Sequence, residues 1–271
     1  SQNTQPAHGG INRHSNGWVY FSGKSDGSGA SLNNGDGTAT VRAQSPGGSN
    51  GYITMESGDG SERLRLDSSG RLMLGTTTEG AAYANNLTLA STASAGMTLR
   101  SASTNSANIY FSDATSGGGE YAGYIQYNHP NDYIKFGTAE TDRLLIDSSG
   151  RVLIGATATQ SVGGGSALAQ IQSVSSTGRL TVTQHRNEAG GSPYIVLGKS
   201  RGTSLGAVTI LQDDDDIGTL AWAGADGSDM DNQAAAITAQ VDGTPGSDDM
   251  PGRLIFKTTA DGSGSASERM R

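Results

Sequence analysis

Two short segments of this chain carry side chains that could bind a ligand. The sequence Asp-Ser-Ser-Gly-Arg at 67–71 returns at 147–151, eighty positions later. A carboxylate, two hydroxyls and a guanidinium at this spacing could hold a cation or a polar ligand. The same residues suit a tight turn, because Asp and Ser bond to nearby backbone amides and Gly tolerates positive φ. A turn accounts for every position, so we predict a structural turn formed by Asp67, Ser68, Ser69, Gly70 and Arg71, and by Asp147, Ser148, Ser149, Gly150 and Arg151.

Acidic residues elsewhere could support catalysis or bind a metal. Asp113, Glu120 and Asp132 are candidates for the carboxylate pair of a glycan-cleaving enzyme, whose chemistry depends on a separation that sequence does not give. Residues 213–216 are four consecutive aspartates. The block lacks the alternating spacing of an EF-hand loop and the roughly nine-residue period of calcium-binding β-rolls. We therefore expect a solvated turn there.

Histidines and aromatic residues are the remaining candidates. The histidines are His8, His14, His129 and His185. They form no HExxH motif and no pair spaced to bind zinc, and no G-x-S-x-G motif marks a nucleophilic serine. Side chains that could stack on sugars are Trp18, Trp222, Tyr121, Tyr124 and Tyr127, although burial in a thin core is the simpler explanation of them. We predict no catalytic residue, no metal and no cofactor.

Composition limits the structure that can position these residues. Of the 271 residues, 34% are hydrophobic and 16% charged, against about 45–50% and about 25% in typical domains, and 41 are glycine. So little apolar bulk favours thin sheets that complete their burial against other chains. The net charge of −8 argues against nucleic-acid binding. The sequence has no run of about 18 apolar residues, which a membrane-spanning helix would require. The absence of cysteine excludes a disulfide scaffold.

The repeated motif predicts a hairpin with one register. If Leu66 pairs with Leu72, the loop is Ser68-Ser69-Gly70, and Gly70 supplies the left-handed residue that a three-residue loop requires. Other loop lengths would mix apolar and charged faces along the ladder. The remaining predicted pairs are Leu64–Leu74, Arg65–Met73 and Asp67–Arg71, and in the second copy Ile146–Val152, Leu144–Ile154, Leu145–Leu153 and Asp147–Arg151.

Short runs rich in Val, Ile, Thr and Tyr predict strands along the rest of the chain. They lie at 17–23, 51–57, 108–113, 121–128, 132–137, 179–186, 193–199, 206–212, 218–224, 234–243 and 252–258. Residues 230–240 are open between helix and strand. We therefore predict an all-β chain of three modules. These are 1–80 and 81–163, each ending in a repeated hairpin, and 164–271, ending within a third copy of the motif that opens at Glu268.

The repeats and the segment 224–271 together resemble the shaft sequences of tail fibres of tailed bacteriophages, of the marine or cyanobacterial type. The resemblance implies an elongated, intertwined homotrimer, similar to a β-prism or a triple β-helix. It implies a non-enzymatic virion protein that positions host-recognition elements. Its partners would be other tail or head proteins and a host surface glycan or protein receptor. In that family the shaft is often followed by a C-terminal intramolecular chaperone, so we expect more fibre after Arg271.

Two other functions fit the same pattern. One is a tailspike that degrades surface polysaccharide, which a cleft with two close carboxylates and aromatic residues would favour. The other is a bacterial trimeric adhesin or surface protein, which an anchor domain beyond this sequence would favour. Repeated thin β modules are common to all three.

Overall fold

The computed structural model describes residues 51–57 and 61–271, together with the backbone of four earlier strands. The chain is all-β, as predicted: the described residues contain no α-helix, and one 3-10 helix lies at Gly117–Tyr121. Contacts group the chain into two units, 1–98 and 99–271. Each unit contains a six-stranded sheet whose strands follow chain order.

The first unit has a two-stranded sheet and a six-stranded sheet. The pair is β1 (Ile11–Arg13) and β2 (Val19–Phe21). The larger sheet comprises β3 (Ser31–Leu32), β4 (Ala39–Gln44), β5 (Tyr52–Ser57), β6 (Glu62–Leu66), β7 (Leu72–Leu74) and β8 (Leu87–Leu89). Neighbours are antiparallel except for β7 and β8, which are parallel.

The second unit begins with a sheet of the same topology. It comprises β9 (Ser106–Phe111), β10 (Gly123–Asn128), β11 (Tyr133–Thr138), β12 (Thr141–Ile146), β13 (Val152–Ile154) and β14 (Ala169–Ile171). Its last pair, β13 and β14, is again parallel. An antiparallel sheet follows, made of β15 (Asp216–Ala223), β16 (Gln233–Val241), β17 (Gly252–Thr259) and β18 (Ala266–Met270). The segment left open between helix and strand thus contributes to strand β16.

Both repeated hairpins have the predicted register. Leu66 pairs with Leu72 in the first copy and Ile146 pairs with Val152 in the second. The parallel strands β8 and β14 were not predicted. They lie after positions 80 and 163, where the sequence placed its module boundaries, and extend both sheets beyond them.

Strand predictions at 179–186, 193–199 and 206–212 are wrong for this chain. No strand lies between β14 and β15. The alternating pattern is present, but the chain offers those residues no neighbouring strand to pair with. Most of their apolar side chains are exposed, including Tyr194 and Val196, whereas Leu211 is buried.

One face of each six-stranded sheet is covered by the connection to its own last strand. In the second unit this face holds Leu153, which is 1% exposed, beside Gln170 on β14. Gln160 of the β13–β14 connection lies over Gln170, because its backbone N donates to Gln170 Oε1 at 3.1 Å. The small core of the sheet therefore lies beneath this connection.

The opposite face of the same sheet is apolar and uncovered. Strand pairing aligns one side chain from each strand in a single row. The row is Ile109, Ile125, Phe136, Leu144, Ile154 and Ile171. Four of the six are at least 38% exposed, although each belongs to a strand with hydrogen-bonded neighbours. We call this the apolar row of the second sheet.

Candidate functional site: the repeated turn and an aromatic cleft

The repeated turn is held by one aspartate that binds several partners. Asp67 Oδ1 accepts hydrogen bonds from the backbone N of Ser69 at 2.9 Å and of Arg71 at 3.0 Å, and Oδ2 accepts one from Arg71 Nε at 2.7 Å. The second copy repeats these contacts from Asp147 at 2.9, 3.0 and 2.7 Å. All three identified acceptor contacts of the aspartate thus go to its own hairpin.

The bonds with arginine also set the charge of the aspartate. The side-chain hydrogen bond from Arg71 lowers the pKa of Asp67, and its backbone hydrogen bond lowers it further. The backbone and side-chain bonds from Arg151 lower the pKa of Asp147. The turn glycines Gly70 and Gly150 have φ of 77° and 76°, as the predicted loop requires. The motif is thus a clasp between aspartate and arginine, and in the first copy Arg71 also pairs with Glu79 at 3.1 Å.

A second glycine in each copy marks the crossing of chain segments. Gly75 and Gly155 follow β7 and β13 with φ of 74° and 75°. A Cβ at Gly155 would lie 2.3 Å from the backbone O of Gln172, and one at Gly75 would lie 2.2 Å from that of Ala90. Since these carbonyls follow the parallel strands β14 and β8, the glycines allow those strands to come close to the hairpin.

Residues 213 and 214 of the acidic block form a turn, and two of its aspartates pair with arginines elsewhere in the chain. Asp215 is not solvated as expected, because its side chain is only 10% exposed. Asp215 Oδ2 accepts hydrogen bonds from Arg201 Nε at 2.6 Å and from the backbone N of Gln212 at 2.8 Å. The hydrogen bond from Arg201 is the main cause of the lowered pKa of Asp215. Asp214 pairs with Arg253. The described residues contain no group of three His, Asp or Glu side chains positioned to hold a metal.

An open cleft lies in the second sheet, on the face that carries Leu153. Its volume is about 650 Å³. It is lined by Tyr110, Tyr121, Tyr124, Gln126, Lys135, Glu140, Thr141, Asp142, Gly155, Ala156 and Thr157. The pairing of β9, β10 and β11 aligns Tyr110 with Tyr124, and Gln126 with Lys135, on one face. We call this site the aromatic cleft.

A partly buried network forms the floor of the aromatic cleft. The Tyr124 hydroxyl donates a hydrogen bond to Asp142 Oδ1, and Lys135 Nζ lies 3.0 Å from the same oxygen. Lys135 Nζ also lies 5.4 Å from the centre of the Tyr124 ring. Burial raises the pKa of Tyr124 to about 12, with the hydrogen bond to Asp142 as a further cause. Tyr124 therefore stays protonated at neutral pH.

Glycine lets the Tyr124 ring lie flat against the sheet. Gly137 on β11 is paired with Tyr124, and a Cβ there would lie 2.0 Å from Tyr124 Cζ. The β-bulge between Phe136 and Gly137 brings Asp142 opposite this glycine. The floor of the cleft thus depends on one residue without a side chain.

The rim of the cleft contains a strained turn. Ala139 and Glu140 connect β11 to β12 with φ of 48° and 60°, the left-handed values of a two-residue hairpin turn that usually contains Asn-Gly. Left-handed backbone at a non-glycine residue costs roughly 1–2 kcal/mol. The turn places the Glu140 carboxylate against Gly118 of the 3-10 helix, where a Cβ would lie 2.0 Å from its Cδ.

The structure separates Asp132 from Asp113 and Glu120, the other two carboxylates considered for a catalytic pair. Asp113 and Glu120 belong to the connection that enters β10, whereas Asp132 lies in the turn that leaves it. Because β10 has six residues, its ends are about 17 Å apart at ~3.3 Å per residue. Asp132 instead accepts a hydrogen bond from the Tyr127 hydroxyl at 3.1 Å.

Of the three tyrosines singled out by sequence, the structure brings two together. Tyr121 and Tyr124 line the aromatic cleft, whereas Tyr127 lies on the other face of β10, with its ring 4.9 Å from that of His129. Trp222 is half-exposed on β15, and His185 lies exposed in the segment without strands. Trp18, His8 and His14 fall outside the described residues.

Sequence reasoning missed Tyr110, Lys135, Glu140 and Asp142. The signal that could have found them is cross-strand register: once β9, β10 and β11 are paired in order, Tyr110 and Lys135 fall on the Tyr124 face. The bulge that carries Asp142 to this face is not visible in the pattern.

Neither the protein-family models nor the curated proteins give a match to this chain. Within the described residues, no helix is long and apolar enough to cross a membrane.

Proposed function

We propose that this chain is a non-enzymatic structural segment of a bacteriophage tail fibre or spike, assembled as a homotrimer on the virion. The observation that carries the proposal is the apolar row of the second sheet, which crosses all six strands and has no cover within the described residues. Contiguous exposed apolar surface of this kind is typical of protein interfaces. The three-fold symmetry and the place on a virion come from the sequence resemblance.

The six-stranded sheet of the first unit and the four-stranded sheet of the second also carry apolar rows. In the first sheet, strand pairing aligns Met55, Leu64, Leu74 and Leu89. In the third sheet it aligns Leu220, Ile237, Phe256 and Met270. Each of these rows includes side chains that are about half exposed, such as Met55 at 46% and Met270 at 56%. Each of these rows is a surface that self-association would bury.

The segment between β14 and β15 supports the same proposal. Its apolar residues alternate as in strands, yet they have no strand partner within the chain. Most of them are exposed, as Leu180, Val196 and Val208 illustrate. Backbone groups of such a segment can form ladders with neighbouring copies. An intertwined trimer would provide those neighbours.

Sedimentation of the purified chain tests the proposal. We expect a species of three times the 27.6 kDa chain mass. Ile109→Asp should abolish it, because the charge would be buried at the interface. Asn108→Asp is the matched control, since Asn108 is the adjacent exposed residue on the opposite face of β9 and should leave the trimer intact. A compact monomer, or equal behaviour of the two variants, contradicts the assembly. Mass spectrometry of purified virions tests the location.

A further inference from the structure

We propose that the aromatic cleft of the second sheet is a binding site for a neutral saccharide. The inference rests on the proposed function only for the source of the sugar, a glycan on the surface that a fibre would contact. Its volume of about 650 Å³ lies within the ~300–1,000 Å³ of ordinary small-molecule sites. Three features of the cleft support a saccharide as its ligand: the exposed rings, the polar groups beside them and the charge.

Two exposed rings give the cleft its stacking surfaces. Tyr110 and Tyr121 are 50% and 41% exposed, and their ring centroids lie 6.2 Å apart at an interplanar angle of 48°. A tyrosine face carries partial negative charge, which attracts the weakly positive C–H groups on the face of a sugar ring. Because the two rings are tilted, they form a concave wall rather than a flat plate.

Polar groups of the cleft are positioned to bond with hydroxyls. The Glu140 carboxylate is held at the rim by the strained turn, and no cation among the described residues lies within ion-pair distance of it. Backbone strain of this kind persists at functional sites because the surrounding structure holds the residue in place. Deeper in the cleft, Lys135 and Asp142 neutralise each other and keep further donors and acceptors available at their edges.

The charge of the cleft selects among saccharides. One ammonium, that of Lys135, stands against two carboxylates, those of Glu140 and Asp142. An anionic sugar would meet net repulsion from this lining, whereas a neutral sugar would not. The same argument disfavours acidic peptides.

The cleft remains open in the proposed assembly. Tyr124 and Gln126 point to one face of β10, and Ile125 of the apolar row points to the other. Self-association through the apolar row would therefore leave the cleft facing solvent. A trimer would present three such sites, which raises avidity for a repeating glycan.

Saturation-transfer NMR and calorimetry with maltotriose, cellotriose, mannotriose and chitotriose test the inference, with trigalacturonate as the anionic probe and a tyrosine-rich tripeptide as a non-sugar probe. We expect at least one neutral trisaccharide to bind and the anionic probe to bind more weakly. Tyr121→Ala should weaken binding about tenfold. Tyr83→Ala, which removes a fully exposed tyrosine outside the cleft, should leave affinity unchanged.

Several outcomes would overturn the inference. They are the absence of binding by all four neutral sugars, preference for the anionic or peptide probe, and equal affinity of the Tyr121→Ala and Tyr83→Ala proteins. Circular dichroism and sedimentation of both variants check that each folds and assembles as the parent does. If the chain sediments as a monomer but binds sugar through Tyr121, the fibre proposal fails and the saccharide site stands. If the chain sediments as a trimer but binds none of the sugars, the saccharide site fails and the fibre proposal stands.

Discussion

The two six-stranded sheets share their topology and differ on one face. Both have the Asp-Ser-Ser-Gly-Arg clasp, a parallel last strand and an apolar row. At the bulge, however, the first sheet pairs Glu56 with Glu62, whereas the second pairs Gly137 with Asp142. The features that the sheets share are those that determine register and burial, and the features that differ are on the face opposite the apolar row.

The acidic residue at the bulge, Glu62 in the first sheet and Asp142 in the second, has different partners in the two sheets. In the first sheet Glu62 Oε1 lies 2.7 Å from Nη2 of Arg65 on the same strand. The Arg65 guanidinium lies 4.3 Å from the centre of the Tyr52 ring. In the second sheet Asp142 binds Lys135 of the neighbouring strand and the Tyr124 hydroxyl. Since Gly137 leaves room for the Tyr124 ring, the second sheet has a cleft at this position. The described residues of the second sheet thus form a local site on a scaffold whose topology and clasp the first sheet shares.

The largest effect that tests the shared scaffold is expected at the crossing glycine. Gly155→Ala should lower stability by about 4 kcal/mol or more, because its Cβ would overlap the Gln172 carbonyl and displace β14. Gly75→Ala should do the same through Ala90. The matched control is Gly150→Ala, which has the same φ but open space around the new Cβ and should cost only about 1–2 kcal/mol.

Thermal and chemical unfolding of the three variants measure this effect. If Gly150→Ala and Gly155→Ala proved equally stable, close approach to the parallel strand would not explain the second glycine. If Gly75→Ala were harmless while Gly155→Ala was not, the two sheets would not share the same constraint.

Sequence predicted the hairpins because turn chemistry and apolar alternation are local. Leu66 with Leu72 and Ile146 with Val152 follow from a three-residue loop and a period of two. It did not predict β8 and β14, since a three-residue strand such as Leu87–Leu89 is too short to show a recognisable alternation. The strand predictions at 179–186, 193–199 and 206–212 failed because alternation alone supplies no hydrogen-bonding neighbour.

The candidate site was partly accessible from the sequence. Tyr121 and Tyr124 were identified as potential sugar-stacking residues, but their separation from Tyr127 required knowledge of the strand boundaries. Glu140 and Asp142 carry no motif, and their placement depends on a bulge and on a left-handed turn at Ala139. Such departures from regular geometry arise from tertiary packing, so local sequence patterns contain little information on them.

An intermediate effect is expected where the sheets differ. Gly137→Ala should destabilise the second sheet by about 1–3 kcal/mol, because the new Cβ would overlap the Tyr124 ring. Displacement of the ring would expose its hydroxyl, so the pKa of Tyr124 should fall from about 12 towards its usual value of about 10. Ultraviolet titration of tyrosinate against pH measures this change.

Tyr124→Phe is the matched variant for Gly137→Ala. It keeps the ring in place and removes only the hydroxyl, so the tyrosine that titrates near pH 12 should disappear while the cleft keeps its shape. If no tyrosine of the parent protein titrated above the others, the network of Tyr124, Lys135 and Asp142 proposed for the second sheet would be contradicted.

The smallest effect concerns the clasp that both sheets share. The pKa values of Asp67 and Asp147 are lowered in the folded protein by their bonds to Arg71 and Arg151. A lowered folded pKa means that the carboxylate stabilises the fold above its unfolded pKa of about 3.9 and that this contribution is lost as pH falls through the folded value. Thermal midpoints should therefore decrease below about pH 4.

Asp67→Asn and Asp147→Asn should each reduce this acid dependence, and by similar amounts if the two clasps are equivalent. At neutral pH each variant should melt below the parent. The difference should begin to shrink below about pH 4, where the unfolded carboxylate becomes protonated, and should vanish once the pH falls below the lowered pKa of the folded carboxylate. Asp261→Asn, at an exposed aspartate outside the motif, should not change the profile. If Asp67→Asn and Asp147→Asn changed the thermal midpoint by different amounts, the two clasps would not contribute equally to stability. Their contribution would then depend on the surrounding sheet as well as on their own hydrogen bonds.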